Sequence, residues 1–206
     1  MDLASLNAAA RRIPIPVVWA AGLVPLAWLA WNLLRAAQGE TSALGVDPVK
    51  ALEHALGRHA LQFLIAGLAI TPLRRLTGLN LVRLRRPLGL LAFTYLVAHL
   101  AVWAILDVQI PAQMIEDLTT RTYIILGLAG FVMLLPLAVT STDSWVRRLG
   151  PARWRSLHKL VYPAVVLGAI HFLMSVKGMP PEPLVYLGLV AGLLLLRLVP
   201  RRRISG

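Results

Sequence analysis

The chain contains no cysteine. Its absence removes disulfides, iron–sulfur ligation and thiolate zinc sites, and it leaves the redox compartment unmarked. Charge is also scarce. Only 15% of the 206 residues are Asp, Glu, Lys or Arg, against about 25% in a soluble domain. Acids are the rarer sign, nine against 21 Lys and Arg. No acidic ligand cluster accompanies the buried histidines and no H-E-x-x-H motif is present, so zinc is a poor fit. The G-x-G-x-x-G, Walker and G-x-S-x-G patterns are missing too. Ser156, Thr140, Ser141 and Thr142 have no evident acid–base partner but Asp143, which resembles a helix cap.

What is present is apolar sequence: 58% of residues are hydrophobic and the mean hydropathy is +0.71. The expected fold class is an all-α integral membrane protein, a single bundle over residues 1–206. Hydropathy places six spans at about 13–34, 52–72, 88–106, 123–139, 158–176 and 184–199. The second is the weakest: residues 60–73 are clearly apolar but short, so its helix is expected to begin near Lys50. Arg11 and Arg12 precede an apolar run too long for the 7–15-residue core of a signal peptide, so the run reads as the first span. There is no internal repeat.

The net charge of +12 falls between apolar runs, which points to membrane topology and lipid head groups, not to nucleic acid. The termini and the loops after spans two and four hold 16 Lys and Arg and two acids; the other loops hold five and seven. By the positive-inside rule both termini are expected in the cytoplasm.

Three of the five histidines lie in apolar runs. Imidazoles are costly in hydrocarbon, so such positions tend to be functional. His158 and His171 are thirteen residues apart, roughly 20 Å along a helix. They therefore fall toward opposite sides of a hydrocarbon core about 30 Å thick. His99, about eleven residues into the third span, matches the depth of His171 on the outer side. Two imidazoles at one depth on neighbouring helices suit the two axial positions of a haem iron. Arg85, fourteen residues before His99, matches His158 on the inner side. Arg stays protonated and is a poor iron ligand, so Arg85 and the adjacent Arg86 would suit haem propionates or mark an open axial site. The plainer alternative is that each histidine only hydrogen-bonds a neighbouring helix. His54 and His59, in an outer loop or helix start, are expected to be solvated.

Four segments, GVDPVKALEHALGRHALQFLIAGLAITPL, RLRRPLGLLAFTYLVAHL, TSTDSWVRRLGPARWRSLHKLVY and IHFLMSVKGMPPEPLVYLGL, resemble the MsrQ (YedZ) family. Members are haem-binding membrane subunits within the ferric-reductase and NADPH-oxidase-like transmembrane group. The likeness runs through nearly all of residues 17–199. It implies haem b, one or two per chain, held by His99, His158 and His171, with Arg85 at the family's arginine before span three. His54 also matches the family. The resemblance further implies FMN, a bacterial inner-membrane location, and electrons drawn from quinol or a cytoplasmic flavin reductase. The acceptor it implies is MsrP, a periplasmic molybdopterin enzyme that reduces methionine sulfoxide in oxidised proteins. Two other functions remain open on the residues: a ferric reductase or superoxide-producing oxidase core served by a separate flavoprotein, and a haem-free transporter or assembly factor.

Overall fold

The computed structural model describes residues 2–176, 178 and 180–198. Val199, which ends the sixth expected span, and the basic tail with Arg201, Arg202 and Arg203 lie outside the described residues. Every regular element among the described residues is helical. In order they are α1 (Leu3–Arg12), α2 (Ile15–Ala37), α3 (Pro48–Thr77), α4 (Arg85–Ala101), α5 (Pro111–Thr120), α6 (Thr122–Val139), α7 (Asp143–Leu149), α8 (Pro151–Leu157), α9 (Val161–Ser175) and α10 (Pro181–Leu198). A 3₁₀ turn, Val82–Leu84, leads into α4, and a π-helical stretch, Val102–Val108, continues it. Among the described residues six stretches are long and apolar enough to cross a membrane: α2, α3, residues Val82–Val108, α6, residues Pro151–Ser175 and α10. This is a multi-pass membrane protein.

Local chemistry sets the ends. Asp47 caps α3 by accepting from the Lys50 amide at 3.0 Å, and Pro48 occupies the first helical position, where no amide is needed. At the other end Gly78 takes φ 77°, the left-handed cap that glycine adopts without a Cβ penalty. The α3 helix has 30 residues, about 45 Å at 1.5 Å per residue, and so overshoots the expected 52–72 at both ends. The cap of α7 is Thr142, whose hydroxyl accepts from the Trp145 amide; Asp143, expected to cap, is the first helical residue.

Tyr95 holds α2 against α4. Pro25 lies inside α2, and one turn of its hydrogen-bond ladder is opened by an inserted side chain. The Tyr95 hydroxyl donates to the Gly22 carbonyl at 2.7 Å and accepts from the Leu26 amide at 2.9 Å. Such an insertion is a recognised cause of helix bending. Tyr95 is fully buried, and Gly22 leaves room for Leu91, since a Cβ there would lie 2.4 Å from a Leu91 methyl.

Helix α3 is central and packs on α2, α4, α9 and α10, while α6 packs on α9. One core joins Leu61, Leu64 and Leu68 of α3 to Leu134, Leu137, Val165 and Val190. In lipid, apolar burial does not by itself drive helices together, and small residues at the contact do more. At α6 and α9 they are Gly130, Ala164 and Ala169: a Cβ on Gly130 would reach the Ala164 carbonyl at 3.4 Å.

The fifth crossing is broken. Between α8 and α9 a 3₁₀ turn runs over His158–Leu160, and Pro163 then falls in the first turn of α9, where its missing amide is tolerated. On an unbroken helix His158 and His171 would be about 140° apart in phase. Three 3₁₀ residues at about 120° each, in place of about 100°, reduce that to about 80°.

Candidate functional site

Helices α3, α4, α6 and α9 enclose a cavity of about 370 Å³. Its walls are apolar, with Leu64, Leu96, Phe131 and Leu134 among them, and His99 and His171 project into it. The two rings have centroids 6.1 Å apart and planes at 78°.

Each ring is held from behind. His99 Nδ1 lies 2.9 Å from the Glu53 carbonyl of α3, and His171 Nδ1 lies 2.7 Å from the Tyr123 carbonyl of α6. A carbonyl oxygen only accepts, so each Nδ1 carries the hydrogen and each Nε2 presents a lone pair. That is the arrangement by which a backbone carbonyl orients a ligating imidazole. Two glycines make space for the rings: a Cβ on Gly57 would come within 3.2 Å of His99 Nδ1, and one on Gly127 within 2.8 Å of His171 Nδ1.

The spacing suits one metal between two imidazoles. With metal–nitrogen bonds of about 2 Å, the centres of two opposed rings lie roughly 6 Å apart. Among the described residues no group of three or more His, Asp or Glu could enclose a bare ion. The pair therefore fits a metal that arrives with its own equatorial ligands, in a slot with apolar walls.

The cavity mouth is charged. Lys50 contacts Asp107 at 2.5 Å, Arg58 contacts Glu182 at 3.0 Å, and Arg121 contacts Asp117 at 3.0 Å. A hydrogen bond to the Tyr123 hydroxyl, with Asp117 nearby, raises the already high pKa of Arg121.

The other expected site residues are placed differently. His158 stacks on Trp154 with centroids 3.8 Å apart, its Nδ1 lies 3.0 Å from the Trp154 carbonyl, and its buried Nε2 has no hydrogen-bond partner. Among the described residues no second histidine ring is paired with it. Arg85 donates to the Thr71 hydroxyl and lines a separate pocket with Arg74 and Arg75. Arg86 pairs with Asp143 at 2.8 Å and donates to the Ser141 carbonyl. The structure thus brings His99 and His171 together; no described hydrogen bond joins His158 to Arg85. His54 and His59 are inside α3. His54 borders the cavity, whereas His59 bonds Gln62 at 2.9 Å and meets Tyr95 edge-on.

Sequence reasoning passes over Gly57, Gly127 and the Glu53 and Tyr123 carbonyls, since helix packing alone puts them behind the rings. It also passes over the π-helical stretch that begins three residues after His99. Single π turns inside α-helices often mark functional sites, but hydropathy carries no sign of them.

The fold and the paired histidines define a class, that of the ferric reductase like transmembrane component, which matches residues 55–169. That range begins early in α3 and ends within α9. At 47% identity over 184 residues, the chain is similar to the protein-methionine-sulfoxide reductase heme-binding subunit MsrQ of Brucella anthropi, covering 89% of this chain and 80% of that protein. It is 46% identical over 195 residues to the same subunit of Brucella ovis, covering 91% and 86%. The chain belongs to the MsrQ family.

Proposed function

We propose that this protein is a haem b electron-transfer subunit of a bacterial inner membrane. It would pass electrons from quinol or a cytoplasmic flavin reductase to the periplasmic molybdopterin enzyme MsrP, for repair of oxidised methionine. The observation that carries this reading is the His99–His171 pair, 6.1 Å between ring centroids across an apolar slot. The names of the Brucella relatives agree with it.

His99 and His171 would hold the iron of the outer haem, kept in the required tautomer by the Glu53 and Tyr123 carbonyls. Lys50, Arg58 and Arg121 at the mouth offer cations to carboxylates at its edge. When bound, haem supplies one-electron chemistry, and the protein supplies position and a low-dielectric surrounding. His158 would ligate a second haem toward the basic end, with Arg86 offering a cation to its carboxylates. The uneven basic charge supports cytoplasmic termini. FMN, implied by family likeness, has no residues assigned to it.

The test uses dithionite-reduced, purified protein. Haem reoxidation is expected to be fast when MsrP and a methionine sulfoxide substrate are both added, and slow with either alone. Equally fast reoxidation by ferric chelates or oxygen without MsrP would replace this reading with that of a ferric reductase or oxidase core. Protein without a Soret band after haem-supplemented expression would leave only a haem-free role.

A further inference from the structure

At the end of the bundle away from the histidine pair, Thr71, Arg74 and Arg75 of α3 and Arg85 of α4 line a pocket of about 260 Å³. Three guanidinium groups converge there, and among the described residues none of them meets a carboxylate. Five cations elsewhere, Arg35, Lys50, Arg58, Arg86 and Arg121, each do. Like charges brought together without acids repel, and the arrangement favours an anion between them. Donors are left over as well. Of its several N–H groups, Arg85 commits one to Thr71. Arg75 is turned to the Leu196 and Arg197 carbonyls of α10. Arg74 makes no side-chain hydrogen bond among the described residues.

Thr71 is the telling member. In a helix a threonine hydroxyl normally donates to a carbonyl three or four residues back. Thr77, Thr94, Thr119, Thr120 and Thr140 all do so here. Thr71 instead accepts from Arg85, and among the described residues its own hydrogen meets no acceptor. Its O–H is a neutral donor beside three cationic ones, a combination suited to the oxygens of a phosphate.

We propose that Thr71, Arg74, Arg75 and Arg85 form a phosphate-binding site, occupied by the head group of an anionic phospholipid. The lipid source follows from position. The pocket lies between the last turns of one span and the first turn of the next, at head-group level, on the end richest in Lys and Arg, where such pockets take acidic lipids. Arg75 also ties α3 to the end of α10, so an occupant would join three crossings.

The full-length protein, purified in detergent and mixed with equal phosphatidylglycerol and phosphatidylcholine, is examined by native mass spectrometry. Wild type is expected to retain one phosphatidylglycerol per chain and no phosphatidylcholine. Arg74→Gln and Thr71→Val each remove one donor and should weaken retention about tenfold, the effect of one charge-assisted or phosphate-directed hydrogen bond. Neither residue touches the histidine cavity, so an unchanged haem spectrum certifies each variant as folded. Equal retention by folded variants and wild type would overturn the proposal, as would indifference between the two lipids. Release of the lipid by millimolar inorganic phosphate would keep the phosphate site and overturn the lipid as its source.

Discussion

The two ends of this bundle handle charge and imidazole in opposite ways. At the acidic end, two histidines from different helices face each other across a hollow, and the cations at its mouth are paired with acids. At the basic end, a single histidine is packed against Trp154, and Arg74, Arg75 and Arg85 gather, among the described residues, without acids. The first end is built from backbone outward: glycines give room, carbonyls set the tautomer, and a metal would complete it. The second is built from side chains and is dominated by uncompensated positive charge. One end therefore suits a ligand held between two imidazoles, the other ligands met by a single imidazole and by positive charge.

The sharpest way to break the comparison is at the facing pair. His99→Ala and His171→Ala should each remove the outer haem entirely, one equivalent per chain, read by pyridine haemochrome. His158→Ala should spare that haem and remove a different one. If His158→Ala removed the outer haem as well, the two ends would not be separate sites.

The glycine notches give a graded test. Gly127→Ala would press a methyl to 2.8 Å from His171 Nδ1, and Gly57→Ala to 3.2 Å from His99 Nδ1. Alanine in a helix otherwise gains about 1 kcal/mol over glycine, so any loss measures the clash. Haem occupancy should fall in both, more for Gly127→Ala. Unchanged occupancy in Gly127→Ala would show that the ring is not confined.

Tyr95→Phe separates scaffold from site. It leaves the Gly22 carbonyl and Leu26 amide without their buried partner, a cost of about 1–3 kcal/mol. Thermal stability in detergent should drop, with the ligand set unaltered; a Tm equal to wild type would contradict the bridging role. The smallest effect is expected at Arg86–Asp143, whose side chains are 42% and 77% exposed. Asp143→Asn should change stability by less than about 1 kcal/mol, and a larger shift would mark the pair as more than a surface contact.

Much of this is visible in the sequence. Six apolar runs give the six crossings, since a helix is the ready way to satisfy backbone groups in lipid. The matched depths of His99 and His171 follow from counting along parallel helices, and the rings do meet. Depth does not fix rotation, however. The turn at His158–Leu160 resets the phase of α9, and only the backbone reveals it. Pro163 signals a disturbance but not its place, because a proline is tolerated just after a break as well as at one. Helices α1 and α5 lie in segments too short or too polar for a hydropathy window, and the cap of α1 depends on the single residue Asp2, whose carboxylate accepts from the Ser5 amide at 2.9 Å. The placement of His54 beside the cavity depends on α3 starting at Pro48, about three turns before the clearly apolar run.

The most direct measurement is haem per chain in His99→Ala, His171→Ala and the double variant, with reduced-minus-oxidised spectra of each. If the two imidazoles hold one haem, the double variant loses no more than either single variant, and all three lose the same absorption band. A double variant that loses two equivalents where each single variant loses one would place the histidines on separate haems and contradict the account.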